Sequence, residues 1–233
     1  MADLTRADLE AIAAFDTPTI CNALELIVPE RRGHGFTTEH LVPLDADLTP
    51  MVGFARTVTI RAAEPSGETA EAMAEKRLAY YAYVAQQPMP AITVIQDLDP
   101  RAGIGAFWGE VQTNIHKGLG LLGCVTNGSF RDVTDSARGF QILGGKVGPS
   151  HAHVHVVDFG NQVTVHGLTV SHDDVVHADR HGAVMVPHDA VKKIPEICLM
   201  LQRREKVILD AAKAPGFDFD KLKAAIAGSK EIH

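Results

Sequence analysis

Residues 52–96 decide the fold: they begin with VGFARTVTI at 52–60 and end with AITVIQ at 91–96. Both stretches are short, apolar and rich in Val, Ile and Thr, which is typical of buried strands. The intervening residues 69–85 read TAEAMAEKRLAYYAYVA and carry neither Gly nor Pro. Such a segment favours a helix, so the sequence predicts a β-α-β unit at the centre of the protein.

The alternation of helices and strands continues beyond this unit. The predicted elements that follow are a helix at 105–117, a strand at 121–126 and a short helix at 132–138. After Gly139 the pattern changes to short apolar or alternating runs, at 141–143, 153–157, 162–165, 175–178 and 183–186. These runs favour a second group of strands with a more hairpin-like arrangement than the first.

Helices are predicted at both ends of the chain. Apolar residues recur at helical spacing over 8–15 and 17–26, and again over 189–211 and 217–227. Residues 29–48 show no sustained period and are predicted to form an irregular, ordered connection. We therefore expect a single α/β domain over 1–233, with N-terminal helices and a loop at 1–48 and a C-terminal helical extension at 189–233.

Composition and charge narrow the class of protein. The chain has 233 residues, of which 45% are hydrophobic and 22% charged, so it can bury a proper core. Twenty-two Lys plus Arg against twenty-nine Asp plus Glu give a net charge of −7, which argues against nucleic acid and anionic membranes as partners. The three cysteines lack a CxxC spacing, and no signal peptide or long apolar segment is visible. These features predict a cytoplasmic protein.

Two short motifs are weaker evidence for a ligand-binding site than their spacing alone suggests. The GxGxxG string at 118–123 follows a predicted helix and leads into a predicted strand, which is the reverse of the order in a dinucleotide-binding site. His151, His153 and His155 alternate, so on a strand they share one face and could present three imidazoles to a metal. The alternative is a solvated or subunit-contact face, with Val154 and Val156 filling the core.

The segment with most chemical content is FWGEVQ at 107–112, followed by GCVTNGSFRD at 123–132. Each string places a turn beside the carboxyl end of a strand, where open sheets build sites and free backbone N–H groups can hold a carboxylate. Arg131 is a bidentate partner for the same anion, and Asp132 is a hard oxygen ligand suited to Mg²⁺ or Mn²⁺. Alternatively, Ser129 and Asp132 cap a helix and Arg131 is a surface cation.

Residues 52–187 resemble the RraA-like family, which includes the class II 4-hydroxy-4-methyl-2-oxoglutarate/4-carboxy-4-hydroxy-2-oxoadipate aldolases. The matching pieces are GFARTV at 53–58, WGE at 108–110, the G-x-x-R-D element that ends at Asp132, and a stretch at 175–187. The resemblance implies a three-layer α/β/β sandwich of the swivelling-domain type, flanked by terminal helices. It also implies a homotrimer or a hexamer, with active sites at subunit interfaces.

The resemblance further implies roles for individual residues. Arg131 would bind the carboxylate and oxo end of the substrate, and Asp132 would hold the Mg²⁺ or Mn²⁺ ion. The turn that contains Gly109, Glu110, Val111 and Gln112 would bind the pyruvyl carboxylate through its backbone amides. Glu205, from the C-terminal helix of a neighbouring subunit, is the best match for an acidic residue that reaches the metal through a water.

The implied activity is that of a divalent-metal-dependent lyase. It would cleave a small 4-hydroxy-2-oxo acid to pyruvate, decarboxylate oxaloacetate, or do both, through an enolate that the metal stabilises. The alternative within the same family is a non-catalytic protein that binds and regulates a ribonuclease. No residue is identified as the general base.

The sequence also departs from the aldolases at several positions. Asn127 stands where they commonly carry Asp, and His172-Asp173-Asp174 replaces Pro-Gly-Asp. Asn22 occupies a second acidic position of the N-terminal helix. These differences leave the C4 substituents of the substrate open.

Overall fold

The protein is described by a computed structural model that covers residues 4–232. The helices within this range are α1 (Arg6–Ala13), α2 (Thr17–Ile27), α3 (Ala70–Val84), α4 (Glu110–Gly118), α5 (Ile194–Lys213) and α6 (Phe219–Ser229). Four of them begin at a side chain that accepts a hydrogen bond from a first-turn N–H group, as expected for N-caps; these caps are Thr5, Asp16, Thr69 and Asp218. None of the described helices is long and apolar enough to cross a membrane.

Thirteen short or medium strands complete the described part of the chain. They are β1 (Val42–Pro43), β2 (Met51–Arg61), β3 (Ala91–Asp97), β4 (Ala106–Trp108), β5 (Leu121–Thr126), β6 (Ser129–Phe130), β7 (Gln141–Gly144), β8 (Lys146–Val147), β9 (His155–Phe159), β10 (Val163–Val165), β11 (Leu168–Val170), β12 (Val175–Asp179) and β13 (Gly182–Val186).

The central sheet has the strand order β1-β7-β5-β3-β2-β12-β13. The pairs β2–β3, β3–β5 and β5–β7 are parallel, which confirms the predicted β-α-β unit. β2 is long enough to pair with β12 near its start and with β9 near its end, so the sheet curls around it. A separate small sheet joins β4, β6 and β8, and β10 and β11 form a hairpin.

The two faces of the central sheet are covered by different elements, because successive side chains of a strand point to opposite faces. Phe54 and Val58 of β2 contribute to the two apolar clusters on the helical face, with residues of α1, α2 and α5 in one cluster and of α3 in the other. Met51 and Ala55 of the same strand pack with the β10–β11 hairpin. The layers are therefore helix, sheet and hairpin, which confirms the three-layer α/β/β fold.

Three predicted elements differ from the structure. The helix expected at 105–117 begins only at Glu110, because residues 106–108 pair with β6 as strand β4. The short helix expected at 132–138 is a turn, since Asp132 has a φ of +52°, outside the right-handed helical region. The strand expected at 153–157 begins at His155, because Ala152 has a φ of +45° and turns the chain before it.

Arg56 lies in β2 and is fully buried. Its guanidinium donates hydrogen bonds to the carbonyl oxygens of Gln86 and Pro88, each at 2.8 Å, and forms an ion pair with Asp173. It therefore ties the centre of the sheet to the connection before β3 and to the turn before β12. Buried charges require such partners, so this part of the GFARTV match is structural.

We expect Arg56→Met to lower the free energy of unfolding by about 2–4 kcal/mol, because several acceptors lose their charged donor. Urea denaturation followed by circular dichroism measures this change. Arg101→Met replaces an exposed arginine and serves as the control. Equal stability of the two variants would contradict a structural role for Arg56.

Candidate active site

A cavity of about 560 Å³ opens between α3, the N-terminus of α4, the turn after β6 and the segment at 151–156. Five of the residues predicted for the site line it: Gly109, Val111, Gln112, Arg131 and Asp132. The side chain of Glu110 does not line the cavity, although its backbone N–H group takes part in the site. Glu205 is exposed on α5 and also lies outside the cavity lining of its own chain.

Strand pairing brings the two predicted turns together. β4 and β6 are parallel neighbours, with Trp108 opposite Phe130. The pairing continues one residue further, since the Arg131 N–H group donates to the Trp108 carbonyl oxygen at 2.9 Å. The start of α4 and the Arg131–Asp132 pair consequently lie side by side.

The Asp132 carboxylate caps α4 from outside the helix. Its Oδ2 accepts a hydrogen bond from the Glu110 N–H group at 3.2 Å. A carboxylate at this place also interacts favourably with the positive end of the helix dipole. Gly109 makes the approach possible, because a Cβ atom on this residue would lie 2.5 Å from Asp132 Oδ2. Asp132 therefore caps a helix, but the helix is α4 and not the one predicted at 132–138.

The turn after Asp132 is fixed by its own hydrogen bonds. The Asp132 carbonyl oxygen accepts from the N–H and hydroxyl groups of Ser136, each at 2.9 Å. Thr113 then joins this turn to α4: its Oγ1 donates to the Gly109 carbonyl at 3.0 Å and accepts from the Ala137 N–H group at 2.9 Å. These bonds replace the helix predicted for 132–138 and hold Asp132 in place.

Arg131 and Asp132 are both available to a ligand. Each side chain is 37% exposed, and Arg131 Nε lies 3.5 Å from Asp132 Oδ2. Helix geometry leaves the first-turn N–H groups of Val111 and Gln112 without a partner inside α4. The site therefore combines one guanidinium, one carboxylate and two free amides, which suits a small carboxylate ligand.

A buried histidine beneath the cavity connects α4 to α3. His116 Nδ1 lies 2.7 Å from the Gln112 carbonyl oxygen, and its Nε2 lies 2.6 Å from the Tyr80 hydroxyl group. The bond to the carbonyl requires a proton on Nδ1, so Nε2 accepts from Tyr80. Burial lowers the pKa of His116 to about 4. His116 lies in the last turn of α4, and the sequence shows no spacing motif that would indicate this connection.

The three alternating histidines do not form a metal site. His151 and His155 line the cavity, whereas His153 is not among its lining residues. They do not share one strand face, because only His155 lies in β9. Nowhere in residues 4–232 do three His, Cys, Asp or Glu side chains cluster in a way that could hold a metal ion. The hypothesis that these three histidines together bind a metal ion is therefore wrong.

Two departures from the aldolase pattern have structural explanations. Asn127 Oδ1 accepts from the Asp97 N–H group at 2.7 Å, and its Nδ2 donates to the Asp97 carbonyl at 3.0 Å. An ionised Asp could not make the second bond.

His172 Nδ1 lies 2.9 Å from the Tyr83 hydroxyl group. Neither side chain lines the cavity. Asn22 is exposed on α2, and no contact explains its identity.

We expect Gly109→Ala to disturb the site without unfolding the protein. Its φ of −171° is open to any residue, so the added methyl group acts by displacing the Asp132 carboxylate and by crowding the Arg131 side chain beside it. Gly118→Ala is the matched control, because a Cβ at Gly118 meets nothing within 4 Å. Calorimetric titration with Mn²⁺ and oxalate should show affinity at least about tenfold weaker for Gly109→Ala than for Gly118→Ala. Equal affinities would mean that the arrangement of Asp132 and Arg131 against Gly109 does not contribute to binding.

His116 should make the stability depend on pH. Its pKa is lowered to about 4 in the folded protein and returns to about 6.5 on unfolding, so the unfolded state binds more protons between these values. Stability should therefore fall as the pH decreases from 6.5 to 4, by about 3 kcal/mol from this residue. Burial also lowers the pKa of His177, which acts in the same direction.

Urea denaturation at pH 7 and pH 5 should show a smaller loss of stability on acidification for His116→Gln than for the wild type. His40→Asn replaces an exposed imidazole and should behave as the wild type. An unchanged pH dependence in His116→Gln would show that the imidazole is not held neutral in the fold.

The comparisons with known proteins agree with this architecture. The profile of the RraA-like family (Aldolase/RraA) matches residues 17–185. No curated protein sequence matches the chain significantly.

Solved structures share the fold at low sequence identity. An uncharacterized protein from Pseudomonas syringae pv. tomato str. DC3000 superposes with a TM-score of 0.72 at 18% identity, over 97% of this chain and 95% of that one. Streptomyces coelicolor RraAS2, described as an unusual member of the RNase ES inhibitor RraA protein family, gives 0.69 at 18% identity, over 88% and 97%. The RNA-processing inhibitor RraA from Thermus thermophilis gives 0.52 at 14% identity, over 72% and 92%. Since the family profile covers well over half of the chain, this protein belongs to the RraA-like (Aldolase/RraA) family.

Proposed function

We propose that this protein is a divalent-metal-dependent lyase. Its substrate would be a small 4-hydroxy-2-oxo acid that is cleaved to pyruvate, oxaloacetate that is decarboxylated, or both. One observation carries the proposal: Arg131 and Asp132 meet the first turn of α4 at one end of a 560 Å³ cavity. Members of the family include lyases, and this combination of groups suits the shared 2-oxo acid end of both substrates.

The carboxylate of a 2-oxo acid has two partners in this cavity. The N–H groups of Val111 and Gln112 lie in the first turn of α4, where the helix dipole favours negative charge. Arg131 adds a guanidinium, which pairs with a carboxylate through two parallel hydrogen bonds. These contacts would hold the carboxylate end of the substrate at the start of α4.

The donor set fits a metal ion that keeps most of its water ligands. Asp132 uses Oδ2 to cap α4, which leaves Oδ1 as a hard oxygen ligand. Mg²⁺ and Mn²⁺ are commonly held by one or two protein carboxylates together with substrate and water oxygens. When bound, such an ion would supply Lewis-acid stabilisation of the negative charge that develops on the 2-oxo oxygen.

Both reactions make the same demand on the protein. A bond to C3 breaks, its electron pair remains on the pyruvate fragment, and negative charge grows beside the 2-oxo carbon. Arg131 and the amides of α4 hold this fragment while the other product leaves. Because these groups are fixed by strand pairing and by the Asp132 cap, they need little rearrangement during the reaction.

A second copy of the chain would complete the site. Proteins of this family are often oligomeric, and we propose a homotrimer or a hexamer of two trimers. Large apolar side chains are exposed near the cavity, with Leu78 and Val111 each 68% exposed. Glu205 is exposed on α5 and would reach the metal-binding region of a neighbouring subunit through a water.

The central test is pyruvate release by metal-free protein with and without added Mg²⁺ or Mn²⁺. The substrates are oxaloacetate and 4-hydroxy-4-methyl-2-oxoglutarate. We expect Asp132→Asn to reduce metal-dependent turnover of both by at least about 100-fold, because the amide is a poor ligand for a hard cation. The fold should persist, since Asn can still accept the Glu110 hydrogen bond.

Asp135→Asn is the matched control, because this exposed carboxylate lies on the same turn but does not line the cavity. It should retain wild-type activity. If the wild type turned over neither substrate and bound no Mn²⁺, the lyase proposal would fall. The regulatory alternative, binding to a ribonuclease, would then be the function to test by co-purification.

A further inference from the structure

One wall of the cavity is formed by the segment at 151–156, whose backbone is firmly held. The backbone N–H group of Ala106 donates to the Ser150 carbonyl oxygen at 2.9 Å, and the backbone N–H group of His153 donates to the Ala62 carbonyl oxygen at 3.1 Å. An internal hydrogen bond of 3.0 Å joins the Val154 N–H group to the His151 carbonyl oxygen. The segment is thus anchored to β4 on one side and to the end of β2 on the other.

This segment contains a strained turn. Ala152 has a φ of +45°, a conformation that costs free energy for a residue with a Cβ atom. Gly105 lets the chain pass closely, because a Cβ on Gly105 would collide with the His151 carbonyl oxygen. Such strain persists where the surroundings fix the backbone, and here it sets the positions of His151 and His155 on the cavity wall.

The imidazole of His155 has a defined tautomer. Its Nδ1 lies 2.8 Å from the His153 carbonyl oxygen. A carbonyl oxygen only accepts, so Nδ1 carries the proton and Nε2 carries a lone pair in the neutral ring. A histidine whose one nitrogen is fixed by a backbone carbonyl presents its other nitrogen as a base.

We propose that His155 is a catalytic acid–base residue of this cavity, an inference that rests on the lyase function proposed above. In the retro-aldol reaction Nε2 of His155 takes the proton of the 4-hydroxyl group. The O–H electron pair forms the new C=O bond at C4, the C3–C4 bond breaks, and its electron pair generates the pyruvate enolate. His155 then returns the proton to C3, so that pyruvate is released and the ring is neutral again.

The other ionisable side chains that line the cavity are already engaged or are unsuited to this task. Glu68, which lies just before α3, forms an ion pair with Lys76 of that helix. The Tyr80 hydroxyl group donates to His116. Arg77 and Arg131 are unsuited because a guanidinium group carries only hydrogen-bond donors.

Asp132 is assigned to the metal ion, so the imidazoles of His151 and His155 remain as the candidate bases. His151 is exposed, whereas His155 is half-buried at the start of β9. Arg61 faces His155 across the β2–β9 pair and is itself 3.6 Å from the Asp99 carboxylate. A backbone carbonyl also holds His151, whose Nδ1 lies 2.7 Å from the Ala152 carbonyl oxygen. The two imidazoles therefore differ in burial, and His155 is the one that is better shielded from water.

The two lyase reactions provide a sharp test, because only one requires a hydroxyl proton to be removed. We expect His155→Asn to lower the rate of 4-hydroxy-4-methyl-2-oxoglutarate cleavage by about 10²–10³-fold, the usual contribution of a general base. Oxaloacetate decarboxylation should stay within about threefold of the wild type, since its C–C bond breaks without a base. The Asn amide can still donate to the His153 carbonyl oxygen, so the local structure should be kept.

His153→Asn is the matched control: it changes an exposed imidazole of the same segment that does not line the cavity. Both activities should remain near wild type in this variant. Calorimetric titration with Mn²⁺ and oxalate should give His155→Asn a Kd within about threefold of the wild type, as expected when only proton transfer is lost.

The possible outcomes separate the two proposals. An equal loss of both activities in His155→Asn, or weakened oxalate binding, would show a structural role and overturn the assignment. The same holds if cleavage is lost in His151→Asn and retained in His155→Asn. A wild type that decarboxylates oxaloacetate but never cleaves the aldol would overturn the role of His155 and leave the lyase function standing. A wild type without either activity would overturn both.

Discussion

The site depends on one contact, in which the Asp132 carboxylate meets the first N–H group of α4 across 22 residues of chain. Every element around it is arranged so that this contact can form. β4 and β6 run side by side, Gly109 leaves room for the carboxylate, and the left-handed conformation of Asp132 turns the side chain towards the helix. The carboxylate thereby acts as a structural cap and still retains an oxygen for a ligand.

Charge is distributed unevenly between this cavity and the rest of the molecule. The chain carries a net charge of −7, yet the cavity is lined by Lys76, Arg77 and Arg131 against Glu68 and Asp132. The positive end of α4 adds to the local potential. The electrostatic potential is therefore more positive at this cavity than over the acidic molecule as a whole, as the small anionic substrate proposed above requires.

Sequence reasoning succeeded where local patterns determine the structure and failed where distant contacts do. The apolar runs of β2, β3 and β5 identified the parallel core, and the bounds of β5 were correct. The sequence predicts a helix over the three residues of β4, because so short a strand has no period of its own. The turn at Asp132 and the bend at Ala152 are not predicted, since a left-handed residue other than Gly is fixed by distant contacts and gives little local signal. Because the bend at Ala152 is not predicted, the sequence places His151, His153 and His155 on one strand face, whereas in the structure only His151 and His155 line the cavity.

The tryptophan of this chain has an unusual position. Trp108 is the only tryptophan in the sequence, and it immediately precedes Gly109. Its ring is buried and lies edge-on to His116, with the ring centroids 4.6 Å apart. Its indole Nε1 has no hydrogen-bond partner among the described residues. All indole emission of the protein therefore arises beside the start of α4, so that the molecule contains its own optical reporter of events in the cavity.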